Sequence, residues 1–117
     1  MVLYLRLNQE IWKRGDYTND NALALTGTVY QNATMLTPYD LTGCTITVKG
    51  FNQRGEEEIT QKTCEIVSAV AGTFRYKPAN GDLSLEFIGD LELIVEKSGT
   101  KMTAMGRNGS ATFLVTE

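Results

Sequence analysis

Histidine is absent from the 117 residues. Without an imidazole the usual general base near neutral pH is missing, and Ser-His-Asp and Cys-His arrangements are excluded. Zinc is excluded with it, because there is no Cys-x-x-Cys pair either. Cysteine is scarce: Cys44 and Cys64 only. Two widely spaced cysteines read as reduced, buried thiols without a role in activity, since a disulfide needs facing strands at short Cα separation. Proline is rarer than the turns require, 2 against 11 glycines, so the turns rest on Gly, Asn and Asp. Aromatics make up 9% of the chain, too few for the aromatic-lined cleft with two acids that a glycosidase needs. No apolar run approaches the ~20 residues that span a bilayer. Residues 1–8 alternate instead of forming a cationic start and an apolar stretch, so they read as a strand and not as a signal peptide. Synthesis in the cytoplasm and a soluble product are expected. The net charge of −3 and the lack of any Lys/Arg run argue against nucleic acid as a partner, and less strongly against an anionic membrane.

What is present is period-two alternation. The clearest run is Cys44-Thr45-Ile46-Thr47-Val48-Lys49-Gly50-Phe51, with Cys44, Ile46 and Val48 on one face. Further strands are expected at residues 2–8 (continuing toward Ile11 and Trp12), 22–31, 57–60 and 63–67 (separate or one bent strand), 73–77, 91–96, 101–106 and 111–116. Turn signals stand at 53–56, 71–72, 80–82, 97–100 and 107–109. Gly89-Asp90 reads as an interruption, and residues 83–87 fit either a helical turn or a strand. No segment carries a helical apolar stripe of more than two turns. The chain reads as a single domain over 1–117, an all-β, two-sheet antiparallel sandwich of seven to nine strands. Its core is expected to include Leu23, Leu25, Ile46, Val48, Phe74, Leu91, Leu93, Val95, Phe113 and Val115.

Catalysis finds no footing. Glu56-Glu57-Glu58, Glu65, Glu86, Glu92 and Glu96 read as a charged hairpin and outward strand faces. The acidic stretch 16–21 lacks the calcium-loop spacing and its closing Glu, so it reads as a polar loop. Asn32-Ala33-Thr34 and Asn108-Gly109-Ser110 match glycosylation acceptors, by chance in a chain without a secretory route. The candidate contact residues are Trp12, Lys13, Arg14 and Tyr17, two aromatics around a basic pair, the composition of an interface anchor. A Trp packed at the edge of the core is the competing reading for Trp12. The leucine-rich first strand, near a terminus, is expected to be a sheet edge open to pairing.

Four phrases in order carry a resemblance. Pro38-Tyr39-Asp40-Leu41-Thr42-Gly43 precedes the alternating strand. Ala71-Gly72-Thr73-Phe74-Arg75-Tyr76 follows the charged hairpin, and then come Gly89-Asp90-Leu91-Glu92-Leu93-Ile94-Val95 and Ser98-Gly99-Thr100-Lys101. Together they resemble the immunoglobulin-like N-terminal domain of the baseplate upper protein of tailed bacteriophages, from about Gly15 onward. Departures are Cys44 where a small Ala is usual, Ile88 ahead of Gly89, and Met105-Gly106 in place of an aromatic-Pro pair. The resemblance implies an immunoglobulin-like sandwich acting as a non-enzymatic structural adaptor of a phage or prophage tail, baseplate or connector. It implies residence in the virion, other phage structural proteins as partners, homo-oligomeric assembly and no cofactor. The alternative is a carbohydrate- or cell-surface-binding β-sandwich module using Trp12, Tyr17, Tyr30 and Tyr39.

Overall fold

Most alternating segments become strands in the computed structural model, which describes residues 2–8, 11–107 and 109–117. The described residues form β1 (Leu3–Leu7), β2 (Ile11–Lys13), β3 (Leu25–Tyr30), β4 (Thr45–Asn52), β5 (Glu57–Thr63), β6 (Glu65–Ser68), β7 (Thr73–Tyr76), β8 (Phe87–Lys97), β9 (Thr100–Met105) and β10 (Thr112–Thr116). Continuity of the first strand across residues 9 and 10 and the Asn108 part of the expected turn and acceptor triplet lie outside the described residues.

The fold is all-β and sandwich-like. One arm of the hydrogen-bonded network runs β1-β3-β7-β6, and the other joins β2, β10, β8, β4 and β5 in that order. β9 bonds to both β8 and β1 and links the arms. Pairing is antiparallel except at β1–β9 and β2–β10, which are parallel, so the wholly antiparallel expectation is corrected at those two contacts. The separate-strand alternative holds at 57–68. β5 pairs with β4, β6 pairs with β7, and between them the Cys64 amide donates to the Ile46 carbonyl at 3.0 Å.

Three expectations fail. Leu23 is 59% exposed, because Asn21–Leu23 forms a single 3₁₀ turn and the strand begins only at Leu25. The Asp20 carboxylate accepts from the Ala22 amide at 2.9 Å and holds that turn. The first strand is not an edge: β1 lies between β3 and β9, and the leucines that suggested an edge fill the core instead. Gly89-Asp90 does not interrupt a strand either, since β8 runs unbroken beside β4, with Asn52 opposite Gly89 and Phe51 opposite Asp90.

The remaining nine expected core residues are buried, joined by Leu3, Leu5, Val29, Leu41, Ile59 and Leu83. Each large apolar side chain taken out of water contributes about 1.5–3 kcal/mol. No polar or charged residue among those described is fully buried.

Two phrases of the resemblance meet here. The Asp40 carboxylate accepts from the Thr42 amide at 2.9 Å and the Thr42 hydroxyl at 2.6 Å. These bonds hold the Asp40 carboxyl below its ordinary value. The Cys44 amide closes the turn onto the Leu41 carbonyl at 3.0 Å, and Leu41 is fully buried. The Tyr39 amide donates to the Val29 carbonyl at 2.9 Å, and the Val29 amide to the Gly72 carbonyl at 2.8 Å. At Gly72, with φ +69°, a Cβ would lie 2.7 Å from the Val29 oxygen and 2.8 Å from the Tyr39 oxygen. Both phrases are thus needed for one crossing of three backbone segments, a demand of folding that any function leaves in place.

Candidate docking face

β2 is three residues long and alternates exposed, buried, exposed. Trp12 turns inward and is 8% exposed. Its row on the inner face continues through Val115 of β10 to Phe87 of β8. Phe87 meets Phe113 edge to face, with ring centroids 5.0 Å apart. Trp12 therefore belongs to the core, and of its two competing readings the core edge holds. Its indole Nε1 is buried without a hydrogen-bond partner among the described residues.

The outer face of the same three strands carries a different row. Ile11, Leu114 and Ile88 are successive partners across β2, β10 and β8. Ile11 is 64% exposed, Ile88 is 42% exposed and Leu114 is half-buried. Single exposed apolar residues are ordinary, but three in register on one face form a patch. Ile11 also lines a cleft of about 330 Å³ with Tyr17 and Leu23, both exposed. Ile88 lines a second cleft with Leu85, Glu86 and Arg14. The row thus links two clefts.

The four residues singled out from sequence separate accordingly. Lys13 is exposed opposite Thr116. Arg14 points to the Leu85–Ile88 cleft, Tyr17 lies with Ile11 and Leu23, and Trp12 is internal. Sequence reasoning missed Ile88 and Leu114, whose signal was only the outward phase of strands read for their inward phase.

Strand addition at β2 is hindered at Lys13. The Lys13 amide donates to the Asp16 carboxylate at 3.1 Å and the Lys13 carbonyl accepts from the Asp16 amide at 3.0 Å, so that end of the edge is already used. The acidic stretch 16–21 supplies these local caps, from Asp16 and Asp20. Contact at this face has to come through side chains.

The most enclosed titratable cluster lies elsewhere. The Asp82 side chain is 7% exposed. It accepts from the Tyr76 hydroxyl at 2.7 Å and the Ala79 amide at 2.9 Å, with Lys62 Nζ at 3.3 Å. Burial opposes its ionisation, but these donors outweigh burial and hold the carboxyl below its ordinary 3.8. Tyr76 is raised by burial and by Asp82, and burial pushes the Cys64 thiol up to about 12. Both cysteines are free, and at neutral pH neither the buried phenol nor the Cys64 thiol is primed as a nucleophile. The cluster staples the turn after β7. A nearby surface set does similar work, where Lys77 and Arg75 reach Glu65 at 2.7 and 3.0 Å and lower its pKa.

A pH dependence follows. Because the folded pKa of Asp82 is depressed, its contribution is fully present above the unfolded value of 3.8 and is lost as pH falls through the folded value. Asp82→Asn should cost about 2 kcal/mol at pH 7, the scale of lost charge-assisted bonds. The gap from wild type should narrow below about pH 4. Urea unfolding curves from pH 2.5 to 7 measure it, and a gap that stays constant with pH would refute the assignment.

Comparison of the chain with family models, with curated proteins and with solved structures gives no match. The site is therefore argued from its own geometry.

Proposed function

We propose that the protein is a non-enzymatic structural adaptor that associates through the outer face of β2, β10 and β8. The observation that carries this reading is the in-register row Ile11–Leu114–Ile88. A second copy is the partner whose chemistry fits. Lys13 stands on the β2 side of the row, and Asp90 and Glu86 on the β8 side. A two-fold axis in the plane of the face and parallel to the strands sets the β2 side of one copy over the β8 side of the other. Cation then meets carboxylate while the apolar row is covered, as an isologous contact requires. The tailed-phage role, with other tail or baseplate proteins as partners and the virion as location, rests on the four ordered phrases of sequence. The crossing of Val29, Tyr39 and Gly72 gives two of those phrases a structural reason that is independent of function.

The glycan-binding alternative draws less support. Of the four aromatics available to it, Tyr17 alone is exposed; Trp12 is buried, and Tyr30 and Tyr39 are half-buried.

Replacing both Ile11 and Ile88 by serine should leave a β-type circular-dichroism spectrum and weaken self-association by about tenfold or more, as loss of interface anchors does. Sedimentation equilibrium over a range of protein concentrations measures this. A wild type that stays monomeric at high micromolar concentration would overturn the self-association. Absence of the protein from purified particles, by mass spectrometry, would overturn the virion role.

A further inference from the structure

We propose that the cleft between the loop after β3 and the β9–β10 crossover binds a phosphate ester. This goes beyond the adaptor role and uses none of its residues. The cleft holds about 410 Å³ and is lined by two arginines, Arg6 and Arg107, with Thr34, Met35 and Ser110 around them. Among the described residues no carboxylate lines it. Among the described residues neither arginine takes part in a salt bridge, in contrast to Arg54 and Arg75, which are paired at 3.0 Å with Glu56 and Glu65. Two guanidinium groups in one cleft, without a carboxylate partner among the described residues of a chain with net charge −3, form a local site for an anion.

The arginines come from different elements, and both walls are built. Arg6 is the outward residue of β1 between buried Leu5 and Leu7. The Arg107 amide donates to Ser110 Oγ at 2.8 Å, and Ser110 Oγ donates to the Leu5 carbonyl at 2.7 Å. The Leu7 amide donates to the Ser110 carbonyl at 2.8 Å, so the crossover loop is pinned to the strand that carries Arg6. Across the cleft, Asn32 Oδ1 accepts from the amides of Leu36 and Thr37 at 3.1 and 3.4 Å, and Asn32 Nδ2 donates to Thr37 Oγ1 at 3.0 Å. That loop holds Met35 at φ 56°, a left-handed conformation that a non-glycine residue adopts at a cost. A pinned cleft binds without first having to order its walls.

The ligand class follows from geometry. One guanidinium fork satisfies the two oxygens of a carboxylate, whereas a tetrahedral phosphate presents three oxygens and accepts forks from two directions. The volume exceeds that of the ion alone and lies at the lower end for small-molecule sites, which leaves room for an esterified group beside Ala33 and Met35.

The test is a titration of the ¹⁵N-labelled chain at low ionic strength, followed by amide chemical shifts, with three probes: inorganic phosphate, glycerol 3-phosphate and acetate. Saturable shifts are expected at residues 33–35, 107, 109 and 110, with glycerol 3-phosphate binding more tightly than inorganic phosphate. Arg6→Gln and Arg107→Gln should each weaken binding about tenfold, the loss of one charge-assisted fork, and the double variant should abolish it. Arg14→Gln, outside the cleft, should leave affinity unchanged. Should Arg6→Gln fail to fold, Arg107→Gln carries the test from its loop. The proposal is overturned by shifts scattered over the surface, by acetate binding equally well, or by unaltered affinity in Arg107→Gln. Inorganic phosphate binding as tightly as the ester would overturn the ester assignment.

Discussion

Gly89→Ala is expected to remove about 3 kcal/mol of stability or more, a large share of the roughly 5–15 kcal/mol that holds a domain folded. A Cβ at this position would run into the Phe51 carbonyl oxygen on the neighbouring strand, with the Phe51 carbonyl carbon at 2.8 Å and Asn52 Cα at 3.0 Å. Those atoms belong to backbone and cannot rotate aside as a flexible side chain does. They are fixed by the longest pairing in the molecule, in which β4 follows β8 from Thr45 opposite Glu96 to Asn52 opposite Gly89. Relief would require opening the lower end of that ladder, which also supports β10 through its partners Phe87 to Asp90. Gly55→Ala is the control for glycine replacement in general: Gly55 has φ +82° but no atom near its missing Cβ, so only the milder backbone cost of about 1 kcal/mol applies. Thermal and urea unfolding of the two variants should differ clearly. Near-native stability in Gly89→Ala would mean that β4 and β8 do not approach as described.

Trp12→Ala is expected to destabilise the fold by about 2–4 kcal/mol. Truncation of a buried aromatic costs about 3–5 kcal/mol. Part of that is returned, because the indole N–H is buried without an acceptor among the described residues and such a donor carries a penalty of about 1–3 kcal/mol. Trp12→Phe separates the two effects: it keeps apolar area against Val115 and removes the orphaned donor, so its stability should fall within about 1 kcal/mol of wild type. An interface anchor would behave differently, with the alanine variant keeping its melting temperature and losing association instead. Differential scanning calorimetry combined with sedimentation distinguishes these outcomes, and unchanged unfolding in Trp12→Ala would move the residue back to the surface.

The adaptor reading and the chemistry of the chain are consistent at the level of charge. The face formed by Ile11, Leu114 and Ile88 is flanked by groups of both signs, which suits a self-complementary contact. The Arg6–Arg107 cleft lies among other elements, and its charged groups among the described residues are both cationic. The two proposed contacts use separate residues, and the variants above separate them.

Much of the architecture was legible because alternation is a local property. Each strand of an interior has to show apolar residues at every second position, and nine of the ten expected core residues follow that rule. Leu23 broke it because Asp20 competes for the backbone and closes a 3₁₀ turn that shifts the strand start to Leu25. Gly89 was misread because a glycine inside a strand signals either a break or a close approach, and local sequence does not distinguish them. Of the candidate site, the segment was legible but not its division. Lys13, Arg14 and Tyr17 remain at the surface while Trp12 does not, since the buried phase of β2 depends on its pairing with β10, a hundred residues away along the chain in the contact of Thr116 with Trp12 and Lys13.

The amino-acid order by itself determined the strand periodicity, most turn positions and the inward faces, all of which depend on neighbours within a few residues. It also determined which side chains are available for chemistry, and so ruled out histidine-based catalysis. Tertiary structure decided the rest: the interior place of β1, the parallel contacts of β1 with β9 and of β2 with β10, the alignment of Ile11, Leu114 and Ile88, and the meeting of Arg6 with Arg107. These depend on register between segments far apart in the chain. Period two specifies which face a residue occupies but leaves open which strand lies beside it.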